Sequence, residues 1–91
     1  MGQPVARLGD QQSHGGVAIQ GSEDVFVNGI PVHRQYDNCY CPTPEDDPHG
    51  VQPLITASGK VFVNGVGVAR IGDQYACGAI IVMGSTDVFA G

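Results

Sequence analysis

The sequence predicts an all-β fold: a compact, pseudo-three-fold repeat of short β-hairpins. Three observations predict it. One pair of motifs recurs three times along the chain. Runs of β-branched and aromatic residues lead into Asn-Gly. Glycine makes up 14 of 91 residues, about twice its usual share of roughly 7%, which works against long helices.

The first block reads PVARLGD at 4–10, PVHRQYD at 31–37 and GVARIGD at 67–73. The second reads GSEDVFVNG at 21–29, ASGKVFVNG at 57–65 and GSTDVFAG at 84–91. Val25-Phe26-Val27 and Val61-Phe62-Val63 read as strands, each followed by Asn-Gly. Asn-Gly suits a type I′ turn, where both central residues need positive φ. Each unit is therefore a small hairpin, VFVNG turning into the next first block. Proline at the start of the second strand is tolerated at an edge. The first PVAR has no VFVNG before it, and the last VFAG has no PVAR after it. The two halves are expected to pair and close a ring of three units. Residues 1–91 form one domain, with an insertion at about 38–56 in the middle unit. That insertion holds Cys39, Cys41, the acidic run Glu45-Asp46-Asp47 and four of the six prolines. It reads as an irregular loop.

Composition excludes several classes of function. The net charge of −5 argues against nucleic-acid binding, which needs clustered Lys and Arg. No apolar run approaches the roughly 20 residues of a membrane span, so no membrane anchor is expected. The N-terminal residues lack a basic-then-apolar signal pattern, so synthesis in the cytoplasm without a signal peptide is expected. The odd cysteine count, Cys39, Cys41 and Cys77, points away from a disulfide framework.

A chain this small buries about 60–65% of its unfolded surface and often needs a staple. The repeat suggests one. His14 and Cys77 each stand four residues after the Asp of the first block, and each is followed by Gly. His49-Gly50 lies at a similar distance before the next block of the middle unit. Three-fold symmetry would bring His14, His49 and Cys77 to one axis. His33, standing where the other copies have Ala6 and Ala69, is the fourth candidate. Three His and one Cys make a closed tetrahedral site for one structural zinc ion. Each His taken alone also reads as a surface or satisfied core residue. Cys39-Tyr40-Cys41 is a competing pair, a metal half-site or a redox pair. The plainer reading makes both thiols of the insertion. The repeated Arg7, Arg34, Arg70 and Asp10, Asp37, Asp73 are candidates for ion pairs around the ring or for turn residues.

The three variants of Pro-Ala-Ala-Arg, each leading to Asp, with VFVNG and Gly-Ser between them, resemble the PAAR-repeat family over essentially residues 2–91. Gly67 departs from the motif proline and His33 from a motif alanine. The resemblance implies a non-enzymatic conical tip on the trimeric spike protein (VgrG) of a bacterial type VI secretion system, one tip per trimer. Such a tip sharpens the spike for membrane puncture and delivery of effector proteins, and is exported at the point of the apparatus. The family's zinc, held by three His and one Cys, maps to His14, His33, His49 and Cys77. Since the sequence ends at the last repeat strand, a stand-alone tip is the expectation. The alternative is a small zinc hydrolase with His33 as base, which would need an open metal position.

Overall fold

The computed structural model describes residues 2–13, 15–41 and 50–91, with Cys41 and Gly50 described by backbone alone. Within these residues the chain is all strand and turn. In order they are β1 (Gln3–Pro4), β2 (Val17–Ala18), β3 (Phe26–Val27), β4 (Ile30–Pro31), β5 (Asn38–Cys41), β6 (Gly50–Pro53), β7 (Phe62–Val63), β8 (Val66–Gly67) and β9 (Phe89–Ala90). No helix long and apolar enough to cross a membrane occurs among the described residues.

The β3–β4 and β7–β8 hairpins turn through Asn28-Gly29 and Asn64-Gly65. Their φ values are 56°, 77°, 54° and 83°, the positive pairs of a type I′ turn. A third, discontinuous hairpin joins the two ends of the sequence. Pro4 pairs with Phe89 and Gln3 with Ala90, the same register as Phe26 with Pro31 and Phe62 with Gly67.

The three units close into a ring through the backbone. The Ala6 N–H donates to Ala69 O at 2.9 Å, His33 N–H to Ala6 O at 3.0 Å, and Ala69 N–H to His33 O at 2.9 Å. Each unit thus gives one bond and takes one. Bridges Val5–Arg70, Arg7–Val32 and Arg34–Val68 run beside this cycle with the same three-fold order.

The core is stacked in two clusters. One gathers Val5, Val32, Val68 and Ala90, flanked by the inward hairpin residues Val27, Val63 and Val88. The other holds Ala6, Ala69, Cys39, Leu54, Tyr75, Ala79 and Ile81, with Cys77 packed against it. A buried Val or Leu contributes about 1.5–3 kcal/mol each, so the repeat's central valines supply a large share of a small core.

The polar repeat residues serve turns. Ser22, Ser58 and Ser85 are buried, and each Oγ accepts the N–H of Val25, Val61 or Val88 three residues on. Each Arg pairs with the Asp three residues later, Arg7–Asp10 at 3.1 Å and both Arg34–Asp37 and Arg70–Asp73 at 2.8 Å. Each of these aspartates also accepts the N–H of its own arginine. The ion pairs therefore close turns within units and do not run around the ring. Between units the same arginines donate to oxygens at matching positions, Arg7 to Asn28 Oδ1, Arg34 to Asn64 Oδ1 and Arg70 to Gly91 O.

The insertion corrects one expectation. Asn38–Cys41 and Gly50–Pro53 are antiparallel strands in a three-stranded sheet of order β2-β5-β6. Proline content pointed to a loop, but Pro53 ends an edge strand, where a missing N–H costs nothing; the rest of the insertion, 42–49, with its other three prolines and the acidic run, lies outside the described residues. Tyr40 and Val51 face solvent while Cys39 is buried, the alternation of a half-buried ladder.

Candidate functional site

Of the four residues expected to hold a metal, His33 and Cys77 are described; His14 and His49 lie outside the described residues. His33 sits on the backbone ring, level with Ala6 and Ala69, with no exposed surface. Its Nδ1 donates to Gln20 O at 2.7 Å. Gln20 O only accepts, so Nδ1 carries the proton and Nε2 keeps a lone pair. That lone pair accepts the Tyr75 hydroxyl at 2.8 Å. Burial pushes the His33 imidazolium well below the usual histidine range, which keeps the ring neutral. Burial likewise pushes the Tyr75 phenol up, with Cys39, Asp10, Asp37 and Cys77 adding to the effect.

Tyr75 carries no catalytic or metal signal in the sequence. A cue lay in the repeat: Gln12, Cys39 and Tyr75 each stand two residues after the block's Asp, and all three are buried. They form a mixed polar layer between the backbone ring and the turns beyond it. The Gln12 amide donates to Cys39 Sγ at 3.6 Å and accepts the Gly16 N–H at 3.2 Å.

Beyond this layer two turns have matching closures. Gln12 N–H donates to Gly16 O at 3.0 Å and Tyr75 N–H to Ala79 O at 2.9 Å. Gly15 and Gly78 then donate back to Gln12 and Tyr75, both with φ near +90° (86° and 93°). Cys77 occupies the second turn. The turns and the β5–β6 ladder meet at one end of the molecule. Val17 pairs with Tyr40, Gln12 with Ile81 and Leu54 with Tyr75.

The donor chemistry of the described residues fits a metal unevenly. Cys77 stands in the 75–79 turn at the converging end, packed against the core cluster. His33 has both ring nitrogens committed to protein partners. Metal binding there would require the Tyr75 hydroxyl to move and to find a new acceptor inside the core.

The opposite face of the hairpins is apolar and exposed. Phe26, Phe62 and Phe89 are 55%, 59% and 54% exposed. They hold the same register position in the three hairpins and are nearly equal in exposure, so the molecule presents one aromatic ring per unit.

Comparison with known proteins follows the same lines. A family profile described as the PAAR motif matches residues 8–83. The chain is 33% identical over 91 residues to double-stranded DNA deaminase toxin A of Burkholderia cenocepacia, covering 98% of this chain and 6% of that protein. It is 35% identical over 81 residues to NAD(P)(+) glycohydrolase toxin Tse6 of Pseudomonas aeruginosa, covering 84% and 19%. It is also 35% identical over 81 residues to (p)ppApp synthetase toxin Tas1 of Pseudomonas aeruginosa, covering 84% and 18%. The chain spans less than a fifth of the length of each of these relatives. With the repeat, the closed three-unit ring and a profile match over most of its length, the chain belongs to the PAAR motif family.

Proposed function

We propose that this domain is a structural tip that caps a three-chain spike of the VgrG type in a type VI secretion system, carried outward with the spike and with effector proteins. The observation that carries the reading is the cyclic bond set Ala6→Ala69→His33→Ala6, which gives one chain three-fold presentation. A true trimer offers three identical edges. This chain meets them with three hairpins in one register and three exposed phenylalanines. The contact is apolar and main-chain, the kind that strand edges favour.

A zinc ion is proposed as the staple at the converging turns, with Cys77 and the sequence positions His14 and His49 as ligands. When bound, it would tie together turns too small to bury a core of their own. The hydrolase alternative loses its base, because His33 is fully buried with both nitrogens engaged. No enzymatic role is assigned to these residues. The activities in the relatives' names belong to proteins of which this chain matches less than a fifth.

The test is co-purification with a trimeric VgrG-type spike. The chain should be retained at high salt, since an apolar contact is not screened. Asp at Phe26, Phe62 and Phe89 together should abolish retention while leaving the fold intact. Retention of the triple variant would overturn the base assignment.

A further inference from the structure

We propose that Asn28 is a site of spontaneous covalent modification, where the side-chain amide is lost as ammonia, and that Asn64, in the same Phe-Val-Asn-Gly sequence, is held back from it by its neighbours. The inference stands apart from the reading of the domain as a spike tip.

The chemistry belongs to the Asn-Gly pair. The glycine backbone nitrogen attacks Cγ of the asparagine. An N–Cγ bond forms, the Cγ–Nδ2 bond breaks, and the glycine amide proton leaves with Nδ2 as ammonia. Water then opens the cyclic imide at either carbonyl, leaving aspartate or isoaspartate. Glycine lacks the Cβ that would crowd this approach. The chain holds two such pairs, Asn28-Gly29 and Asn64-Gly65, both exposed on hairpin tips.

Their local settings match. Phe-Val precedes each pair, and the φ values are 56° and 77° at one tip and 54° and 83° at the other. The intrinsic rate of attack is therefore the same at both. What differs is the neighbouring unit on which each tip rests.

Asn64 is held at both ends of its amide. Its Nδ2 donates to Asp24 Oδ1 at 2.9 Å, its Oδ1 accepts Arg34 Nη1 at 3.0 Å, and the Ser22 hydroxyl reaches the same oxygen at 2.7 Å. Asn28 has a looser hold. Its Nδ2 donates to Asp87 Oδ1 at 2.9 Å, and its Oδ1 accepts Arg7 Nη1 at 3.2 Å, the long limit for such a bond. The Ser85 hydroxyl, equivalent to Ser22, donates to Asp87. At the third tip Gly91 O takes the asparagine's place and accepts Arg70 Nη1 and Ser58 Oγ.

The amide plane must turn to bring Cγ onto the glycine nitrogen. That turn takes Oδ1 from its donors and Nδ2 from its acceptor. Reaction thus proceeds from a locally opened tip, at a rate that scales with how often the tip opens. One more net hydrogen bond at Asn64 makes opening there about two- to ten-fold rarer. Once residue 28 has reacted, a carboxylate replaces the donor that faced Asp87, and like charges repel. Isoaspartate also adds an atom to the main chain of the turn, two residues after Phe26.

The experiment holds the whole folded chain in mildly alkaline buffer and follows conversion at residues 28 and 64 separately by peptide mass spectrometry. A second sample is held in denaturant. In the folded chain, conversion at residue 28 should outpace that at residue 64 by about two- to ten-fold. In denaturant the two rates should be equal. Ser22→Ala should raise conversion at residue 64 and leave residue 28 unchanged, so residue 28 reports whether the variant's fold is intact. The ratio in the parent chain decides without the variant. Equal rates in the folded chain, or a faster rate at residue 64, overturn the proposal. So does an excess at residue 28 that persists in denaturant, since the neighbouring units are then not its cause. A folded chain in which residue 28 stays intact while the denatured chain converts overturns it as well.

Discussion

Ala57 and Gly67 exchange volume with each other. A Cβ placed on Gly67 would lie 3.1 Å from the Ala57 Cβ. In the other two units the order is reversed. A Cβ on Gly21 would lie 3.0 Å from the Pro31 Cβ, and one on Gly84 would lie 3.2 Å from the Pro4 Cβ. Each unit therefore has room for one side chain at this contact, either on the block before the hairpin or on the strand after it. The departure of Gly67 from the motif proline is the local answer to the Ser58 carbonyl and Ala57.

Restoring proline at position 67 should be destabilising on its own. Gly67→Pro crowds Ala57 and the Ser58 carbonyl, and overpacking of this kind costs about 1–3 kcal/mol. The double variant A57G/G67P removes the Ala57 contact but leaves the Ser58 carbonyl in place, and should recover part of the loss. Chemical denaturation of the four proteins measures the coupling. Additive losses would mean the two positions do not share the space.

Tyr75 and His33 make a second coupled pair. Tyr75→Phe leaves the buried Nε2 of His33 without a donor, at a cost of about 1–3 kcal/mol. His33→Ala removes the acceptor and opens a void, and should cost at least as much. The double variant should lose less than the sum, by about 0.5–3 kcal/mol. A coupling near zero in a denaturation cycle would contradict the hydrogen bond.

The exposed Asp87 should titrate below the ordinary carboxylate value of about 3.9. The Asn28 amide donates to its Oδ1 at 2.9 Å, and Ser85 adds a second hydrogen bond. These bonds favour the charged form, Asn28 most. A folded value below the unfolded one means the unfolded chain binds more protons in that window. The stabilisation is present above about pH 4 and is lost as pH falls through the folded midpoint. Asn28→Ala should raise the Asp87 midpoint, read by NMR titration. An unchanged midpoint would remove Asn28 as the cause.

Much of this fold was legible because the repeat supplied three readings of one unit. VFVNG specified a type I′ hairpin through Asn28-Gly29 and Asn64-Gly65, and the incomplete ends specified closure of β1 on β9. Proline density misled only at the two ends of the insertion, because an edge strand tolerates Pro53 and the pairing partners of Asn38–Cys41 are distant in sequence. The site was legible only in part. His33 reads as a ligand because it breaks the alanine pattern, and the structure adds a contact that spacing does not show, with Tyr75, 42 residues away. That contact depends on which layer each side chain enters, and motif spacing does not encode layers. Tyr36 shows the same limit. It takes φ of 72° where the equivalent Gly9 and Gly72 take 89° and 96°, a left-handed turn position that its own identity does not announce.

The most direct test of the account is the mass of the assembled complex with a trimeric VgrG-type spike, measured by native mass spectrometry. Three hairpins in one chain should saturate three edges of one trimer, giving one copy of this chain per three spike chains. Three copies per trimer, or a stable homotrimer of this chain alone, would contradict the closed pseudo-three-fold ring as a cap.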